Sequence, residues 1–282
     1  AVDLGAGSGR VVVGRFGEAH VDFEELHRFS NNPRHHDGHE RWNVGELLDG
    51  ITAGLAALPD GGRDVISIGV DTWGVDYGLL DTRKRLIEDP ICYRDSRTDG
   101  IVEYVHRLIS RDELFRITGL QTLPLNTIYQ LVAQREAREW PPTVAHLLMM
   151  PDIVHHYLCG ELAGEQTMAS TTQLASATTR EWAPEVFERL GLPFEVMPPL
   201  MKPGSAIGKL RSDLQRTLGV PPIGVVVPAT HDTASAVVGA PLQNDWAYIS
   251  SGTWSLVGVE TREPLLTEAV ARENLTNEGG FD

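Results

Sequence analysis

The sequence contains very little cysteine. Cys92 and Cys159 are the only two among 282 residues, and their spacing fits neither a disulfide framework nor a metal-binding cysteine motif. A disulfide-stapled secreted domain and a cysteine-ligated zinc fold are therefore excluded. A chain with this cysteine usage is expected in a reducing compartment, the cytoplasm.

Positive charge is also scarce. The chain has 24 Lys and Arg residues against 39 Asp and Glu, a formal net charge of -15. Such an excess of negative charge disfavours binding to nucleic acid or to an anionic membrane surface, so we expect neither partner. A phosphorylated ligand stays compatible with this charge, because it needs only a local pocket of N–H groups or positive side chains.

Long apolar runs are scarce as well. No uninterrupted apolar stretch is long enough to span a bilayer, and no signal peptide is evident at the start. The chain begins inside a predicted strand at residues 1–4 and stops at residues 280–282. Both ends resemble cuts, so a fragment is expected. With 41% hydrophobic residues, it can still form one large or two ordinary globular domains.

The most informative stretch is residues 229–236, Ala-Thr-His-Asp-Thr-Ala-Ser-Ala, which follows an apolar run and Pro228. This pattern predicts a strand that ends where a helix begins, with Asp232 beside helix N–H groups that favour negative charge. A free aspartate titrates near about 4. Asp232 is therefore expected to be ionised at neutral pH and able to act as a general base toward a hydroxyl. The alternative is a simple helix cap, a common role for aspartate.

A glycine-rich turn, residues 5–10, follows the first predicted strand and precedes three valines. The turn fails the dinucleotide-binding fingerprint, because Arg10 stands at the third glycine position and no helix follows. It also lacks the Gly-Lys-Ser/Thr ending of a P-loop. The pattern predicts a β-hairpin whose tip can bind phosphate oxygens through backbone N–H groups. An ordinary hairpin with glycines at positive φ is the alternative.

Residues 247–258 repeat this design of strand, small-residue turn and strand, and the turn adds the hydroxyls of Ser251 and Thr253. Two such hairpins far apart in sequence predict a duplicated fold that holds nucleotide phosphates between two loops. Chance similarity of two hairpins is the alternative. The polar turn at residues 241–245 is a predicted domain boundary.

A second predicted strand, residues 65–70, runs into Asp71-Thr72-Trp73-Gly74-Val75-Asp76. Open α/β sheets bind ligands at such strand ends. Gly74 would let a ligand approach the backbone closely, and Trp73 offers an apolar face to a sugar. In the alternative interpretation, Trp73 fills the core and the aspartates form turns.

Two further polar segments are expected to be structural. Residues 31–41 contain His35, His36 and His39, but no other metal ligands gather there, so a solvated loop is favoured. Residues 93–99 precede a predicted helix, and their charges are best explained as caps and surface pairs.

Together these segments resemble the FGGY family of carbohydrate kinases. The similar segments occur in family order and span the chain: residues 1–10, 71–76, 93–97, 231–236, 251–255 and 276–280. The glycine turn alone is weak evidence, and it has Gly7 where the family commonly has serine. Asp-Thr-Trp-Gly at 71–74 and Ser-Gly-Thr-Trp-Ser at 251–255 separate this chain from the family's glycerol and xylulose kinases.

The resemblance implies an α/β, actin-like ATPase (ribonuclease H-like) fold. Residues 1–241 would form a sugar-binding first domain lacking only its first few residues, and residues 242–282 the truncated start of an ATP-binding domain. It implies ATP-dependent phosphorylation of L-rhamnulose at O1 in L-rhamnose catabolism, with Mg²⁺ as cofactor. L-fuculose or L-xylulose are alternative substrates. A non-catalytic, truncated sugar- or nucleotide-binding module is the alternative from another class.

The resemblance also implies roles for individual residues. Asp232 would be the general base, and Asp3 would hold Mg²⁺ through water. The implied sugar-binding residues are Gly74, His231, Asp232 and Thr233. The implied ATP-binding residues are Ala6, Gly7, Ser8, Gly9, Arg10 and Thr253.

Overall fold

A computed structural model describes residues 1–18, 20–243, 246–252 and 255–281. The strands are β1 (Val2–Leu4), β2 (Ser8–Phe16), β3 (Val21–Ser30), β4 (Arg34–His36), β5 (His39–Arg41), β6 (Ser67–Ile68), β7 (Val70–Thr72), β8 (Tyr77–Asp81), β9 (Val144–Met149), β10 (Gly164–Glu165), β11 (Leu200–Met201), β12 (Ser205–Lys209), β13 (Gly224–Val227), β14 (Ala247–Ser251) and β15 (Ser255–Val259). The α-helices are α1 (Val44–Ala56), α2 (Ile101–Leu108), α3 (Arg111–Thr118), α4 (Thr127–Glu136), α5 (Met150–Cys159), α6 (Gln166–Ser170), α7 (Pro184–Leu190), α8 (Ser212–Leu218), α9 (Asp232–Gly239) and α10 (Glu268–Arg272).

A mixed β-sheet organises the first part of the chain. β3, β2 and β1 are antiparallel neighbours, and β7 pairs in parallel with β1, with Asp3 opposite Asp71. β6 pairs in parallel with β13, which is antiparallel to β12. The Thr72 N–H donates to the Thr230 carbonyl just beyond β13 (2.9 Å). The strand order across the array is therefore β3-β2-β1-β7/β6-β13-β12.

Helix α1 packs on β2 and β3, and α5 packs on β7, β12 and β13. The side-chain oxygen of Asn43 accepts the Glu46 N–H (3.0 Å) and so caps the start of α1. The buried residues of α1 include Val44, Leu47, Ile51 and Leu55. This spacing puts one apolar stripe against the sheet.

A second hydrophobic core lies between the β8–β9 pair and helices α2, α3, α4, α6 and α7. Tyr129 and Phe187 are among its fully buried side chains. The helix predicted after residues 93–99 is α2. None of the described helices is both long enough and apolar enough to cross a lipid bilayer.

Both predicted hairpins are present, as β1–β2 and β14–β15, and the strand and helix around Asp232 are β13 and α9. The strand predicted over residues 65–70 is wrong in detail. It divides at Gly69 into β6 and β7, which pair with different neighbours, and Ile66 is 90% exposed.

The loop predicted over residues 31–41 is also wrong, because β4 and β5 form a short hairpin there. Asp37 and Gly38 at its turn both have positive φ, 49° and 84°. The Asp-Gly pair is a known sequence signal for such tight turns.

Candidate active site

The sheet brings several of the predicted site segments to one edge. β1, β7 and the end of β13 run parallel, since Thr72 also bridges His231 in parallel. The Trp73 N–H donates to the Leu4 carbonyl (3.2 Å). The glycine turn after β1, the Gly74 segment after β7 and Asp232 after β13 therefore follow the carboxyl ends of neighbouring strands, where α/β sheets bind ligands.

Asp232 is the first residue of α9. Its Oδ1 accepts the Thr233 N–H (2.7 Å) and contacts the Thr233 hydroxyl (3.3 Å). Among the described residues Oδ2 has no hydrogen-bond partner, and the side chain is 41% exposed. One oxygen thus accepts an N–H of the first helical turn, although the cap position of α9 is His231 and not Asp232. The other oxygen is free to accept a proton.

Asp232 lies close to two further carboxyl groups. Burial raises the pKa of Asp232 above its ordinary value, and this outweighs the opposing effects of His231 and Thr233; the charge of Asp3 adds to the rise. Burial, together with the charges of Asp3 and Asp232, raises the pKa of Asp71 to about 8. The upward shift makes Asp232 a stronger base than an ordinary aspartate.

His231 lies between two carboxylates. Its Nε2 is 3.5 Å from Asp232 Oδ1, and its Nδ1 is 3.1 Å from Glu278 Oε2. Burial lowers the pKa of His231, but Glu278 and Asp232 outweigh burial and the net shift is upward. Glu278 is a site residue outside the set predicted from the sequence. Its only signal is its place in the family-like segment 276–280.

Two hydrogen bonds within the chain hold the glycine turn. The Gly5 N–H donates to the Ser8 carbonyl (2.9 Å), and the Asn31 side-chain amide donates to the Gly5 carbonyl (2.8 Å). Gly5, Gly7 and Gly9 do not have positive φ, so the alternative of positive-φ glycines is wrong. Open space surrounds the position of a Cβ at Gly7, which leaves room for a ligand on that side.

Asp3 and Arg10, both predicted site residues, bind each other. The Arg10 guanidinium donates through Nε (2.7 Å) and Nη2 (2.6 Å) to Asp3 Oδ2. Ala6, Ser8 and Gly9 lie with Arg10 in the turn and the start of β2. Thr253 lies outside the described residues.

The Gly74 segment contains a strained residue. Val75 has φ 71°, which is unusual for a β-branched side chain. The Thr171 hydroxyl accepts the Val75 N–H (3.2 Å), and the Thr127 hydroxyl donates to the Val75 carbonyl (2.7 Å). A Cβ at Gly74 would lie 3.1 Å from Thr171. Close packing against Thr171 therefore favours a small residue at position 74 even without a bound ligand.

Trp73 does not offer a face to a sugar, contrary to the sequence expectation. It is 5% exposed, and its ring centroid lies 4.3 Å from that of Trp42. The indole N–H groups of Trp42 (2.6 Å) and Trp73 (3.0 Å) both donate to Asp76 Oδ2. Trp73 fills the core, as the alternative interpretation held.

The polar turn at residues 93–99 is structural, as expected. Asp95 accepts the N–H groups of Arg97 and Glu40, each at 2.9 Å. A cavity of about 530 Å³ borders this turn, and its lining does not include Asp232. In the described parts of the chain, no group of three His, Cys, Asp or Glu residues is arranged to hold a metal ion.

Residues 1–239 match the N-terminal domain of the FGGY family of carbohydrate kinases. The chain belongs to this FGGY family. It is 42% identical over 281 residues to a rhamnulokinase of Bacillus subtilis (strain 168), covering 99% of this chain and 58% of that relative. It is 45% identical over 286 residues to a rhamnulokinase of Pectobacterium carotovorum subsp. carotovorum (strain PC1), covering 100% of this chain and 57% of that relative.

Solved structures of two kinases share the fold. A ligand-bound xylulose kinase from Lactobacillus acidophilus matches with a TM-score of 0.79 at 17% identity, over 91% of this chain and 52% of that one. A Plasmodium falciparum glycerol kinase with ADP matches with a TM-score of 0.72 at 14% identity, over 91% and 57%. The α/β actin-like first domain is thereby confirmed. The chain spans somewhat more than half the length of the curated relatives it matches.

Proposed function

We propose that the full-length protein is an ATP-dependent sugar kinase that phosphorylates L-rhamnulose at O1, in L-rhamnose catabolism and in the cytoplasm. The observation that carries this proposal is the Asp232 carboxylate, with one free oxygen and a raised pKa, at the same sheet edge as the glycine turn and Gly74. The choice of ketose is supported by the rhamnulokinase relatives.

In the proposed reaction, the O1 hydroxyl of the sugar donates its proton to the free oxygen of Asp232 as O1 attacks the γ-phosphorus of ATP. The new O1–P bond forms while the bond from the γ-phosphorus to the β,γ-bridging oxygen breaks, and ADP leaves with that oxygen. A base in this position typically contributes about 10²–10⁴-fold to the rate. His231, Thr233 and Gly74 would hold the sugar. Backbone N–H groups of residues 6–10, with Thr253, would bind ATP phosphates, because turn amides favour anions. Positioning and charge stabilisation supply the rest of the acceleration.

The carboxylates near Asp232 fit a role for Mg²⁺. Asp3 provides the hard oxygen donors that Mg²⁺ prefers and would hold it through water. Asp71 lies opposite Asp3 in the sheet. Bound Mg²⁺ would supply positive charge that offsets repulsion between ATP and this acidic site.

The same proposal places the boundary between the sugar-binding and ATP-binding domains between residues 241 and 242. The end of the family match at residue 239 supports this boundary.

The test is a coupled ADP-release assay of the full-length protein with L-rhamnulose, L-fuculose and L-xylulose, with NMR of the product. The proposal predicts the highest kcat/KM for L-rhamnulose and a phosphate on O1. Faster turnover of another ketose would reassign the substrate. Binding of sugar and ATP in isothermal titration calorimetry without ADP release would instead support a non-catalytic binding module.

A further inference from the structure

Glu165, at the end of β10, is a fully buried carboxylate with five hydrogen-bond donors. Its Oε1 accepts the Thr167 N–H (2.7 Å), and its Oε2 accepts the Thr167 hydroxyl (2.5 Å) and the Met168 N–H (3.1 Å). The residue is 0% exposed. These three bonds join Glu165 to the first turn of α6.

The same carboxylate also reaches the turn that carries Asp232. Glu165 Oε2 accepts the Thr230 N–H (3.1 Å) and the Thr230 hydroxyl (2.7 Å). The Thr167 hydroxyl oxygen in turn accepts the His231 N–H (3.3 Å). We call Glu165, Thr167 and Thr230 the Glu165 cluster. It holds the two backbone N–H groups that immediately precede Asp232.

A second buried carboxyl in this region, that of Asp152, has a different environment. Both oxygens of Asp152 lack a hydrogen-bond partner among the described residues, whereas Glu165 has five donors. Burial, reinforced by the charge of Glu165, raises the pKa of Asp152 well above its ordinary value. Hydrogen bonds to a carboxylate favour its ionised form. The contacts in this region are therefore arranged around the carboxyl of Glu165 and not around that of Asp152.

We propose that Glu165 is a positioning residue for Asp232: through Thr230 and Thr167 it fixes the turn that sets the free Asp232 oxygen against the substrate hydroxyl. The inference rests on the proposed role of Asp232 as the base. An amide at position 165 would turn an NH₂ group toward some of these N–H and O–H donors, since it has only one accepting oxygen. Small displacements of a catalytic group lower the rate steeply.

The test compares Glu165→Gln with Asp152→Asn in the full-length protein. Both changes convert a buried carboxyl to an amide in one region, but only the first removes bonds to Thr230. We expect Glu165→Gln to lower kcat roughly tenfold to a hundredfold, a larger factor than any change in the sugar affinity measured by calorimetry. Asp152→Asn should keep the wild-type kcat. An equal loss of kcat in both variants, or none in Glu165→Gln, would overturn the proposal.

A second pair of variants keeps the test decisive if Glu165→Gln does not fold. Thr230→Val removes one hydroxyl donor at nearly constant volume, while Thr230→Ser keeps it. The valine variant should lose kcat and the serine variant should not. If Glu165→Gln does fold, adding Thr230→Val to it should cause little further loss of kcat, because both changes remove the same contact. Fully additive losses would count against the cluster.

One readout does not depend on phosphorylation. The charge of Glu165 helps to raise the pKa of His231, so NMR titration of the His231 ring should give a lower midpoint in Glu165→Gln. An inactive wild-type protein would overturn the proposed kinase function, and this titration would still test the Glu165 cluster. An unshifted midpoint in a folded Glu165→Gln variant would show that Glu165 does not act on this turn.

Discussion

Asp76 joins two tryptophans of the core at one carboxylate. Its Oδ2 accepts both indole N–H groups and the Tyr93 N–H (3.2 Å), and the side chain is fully buried. The residue lies two positions after the proposed sugar contact Gly74. A substitution at Asp76 therefore tests the buried hydrogen bonds near the site without changing Asp232.

Asp76→Ala is predicted to destabilise the protein by about 2–5 kcal/mol, because it leaves buried N–H groups without an acceptor. Asp76→Asn retains an acceptor oxygen and should lose less. Chemical denaturation of the two variants measures the difference. Equal stability of the alanine variant and the wild type would contradict this account of Asp76.

The same carboxyl gives a pH dependence. Burial raises the pKa of Asp76 to about 6, against about 4 for a free aspartate. The contribution of Asp76 to folding stability is complete below about pH 4 and is lost as the pH rises through about 6. The stability advantage of the wild type over Asp76→Asn should therefore shrink between these pH values. An advantage that grows over this range would contradict the upward shift.

At the scale of elements, the glycines of the β1–β2 hairpin differ in how much space surrounds them. A Cβ at Gly9 would lie 2.4 Å from Phe29 Cε2 and 2.8 Å from Leu4 Cδ2, whereas one at Gly7 meets open space. Gly9 is thus required by packing within the sheet. Gly7 is the position left open to a ligand.

Gly9→Ala is predicted to cost about 1–3 kcal/mol of folding stability through overpacking. Gly7→Ala, in the same turn, should change stability by no more than about 0.5 kcal/mol. Denaturation curves of the two variants provide the comparison, and Phe29→Leu should partly rescue Gly9→Ala. Equal effects of the two alanines would disprove the packing role of Gly9.

These elements also show what the sequence could predict. Apolar spacing locates α1, and valine-rich runs beside small-residue turns locate the β1–β2 and β14–β15 hairpins, because local patterns determine those elements. Trp73 and Glu165 depend on distant partners instead. Trp73 shares Asp76 with Trp42, and Glu165 binds Thr230, 65 residues further along the chain. No local pattern marks either role.

At the scale of the whole molecule, residues 265–281 return to the first part of the chain. The Asn277 side chain donates to the Gly119 carbonyl (3.0 Å) and accepts the Leu265 N–H (2.6 Å). The Gly279 N–H donates to the Ser170 hydroxyl (2.8 Å). These contacts place Glu278 against His231, beside Asp232.

Glu278→Gln is predicted to lower the pKa of His231, because it removes the charge that most raises it. Because the pKa of His231 is raised, its contribution to folding stability is complete below about pH 6.5 and is lost as the pH rises. Because the pKa of Glu278 is lowered, its contribution to folding stability is complete above about pH 4.3 and is lost as the pH falls. The variant should therefore lose most stability in the mildly acidic range between these values. NMR titration of His231 and thermal melting across pH check both effects; an unchanged His231 midpoint would contradict the pairing.

Asp232→Asn in the full-length protein tests the central claim most directly, with ADP release measured under saturating L-rhamnulose and ATP. The amide preserves the Thr233 contact and the shape of the side chain but cannot accept the hydroxyl proton as a carboxylate does. We predict a folded variant that binds the sugar in calorimetry and loses phosphorylation by at least about a hundredfold. Near-normal turnover in this variant would contradict the role of Asp232 as the base.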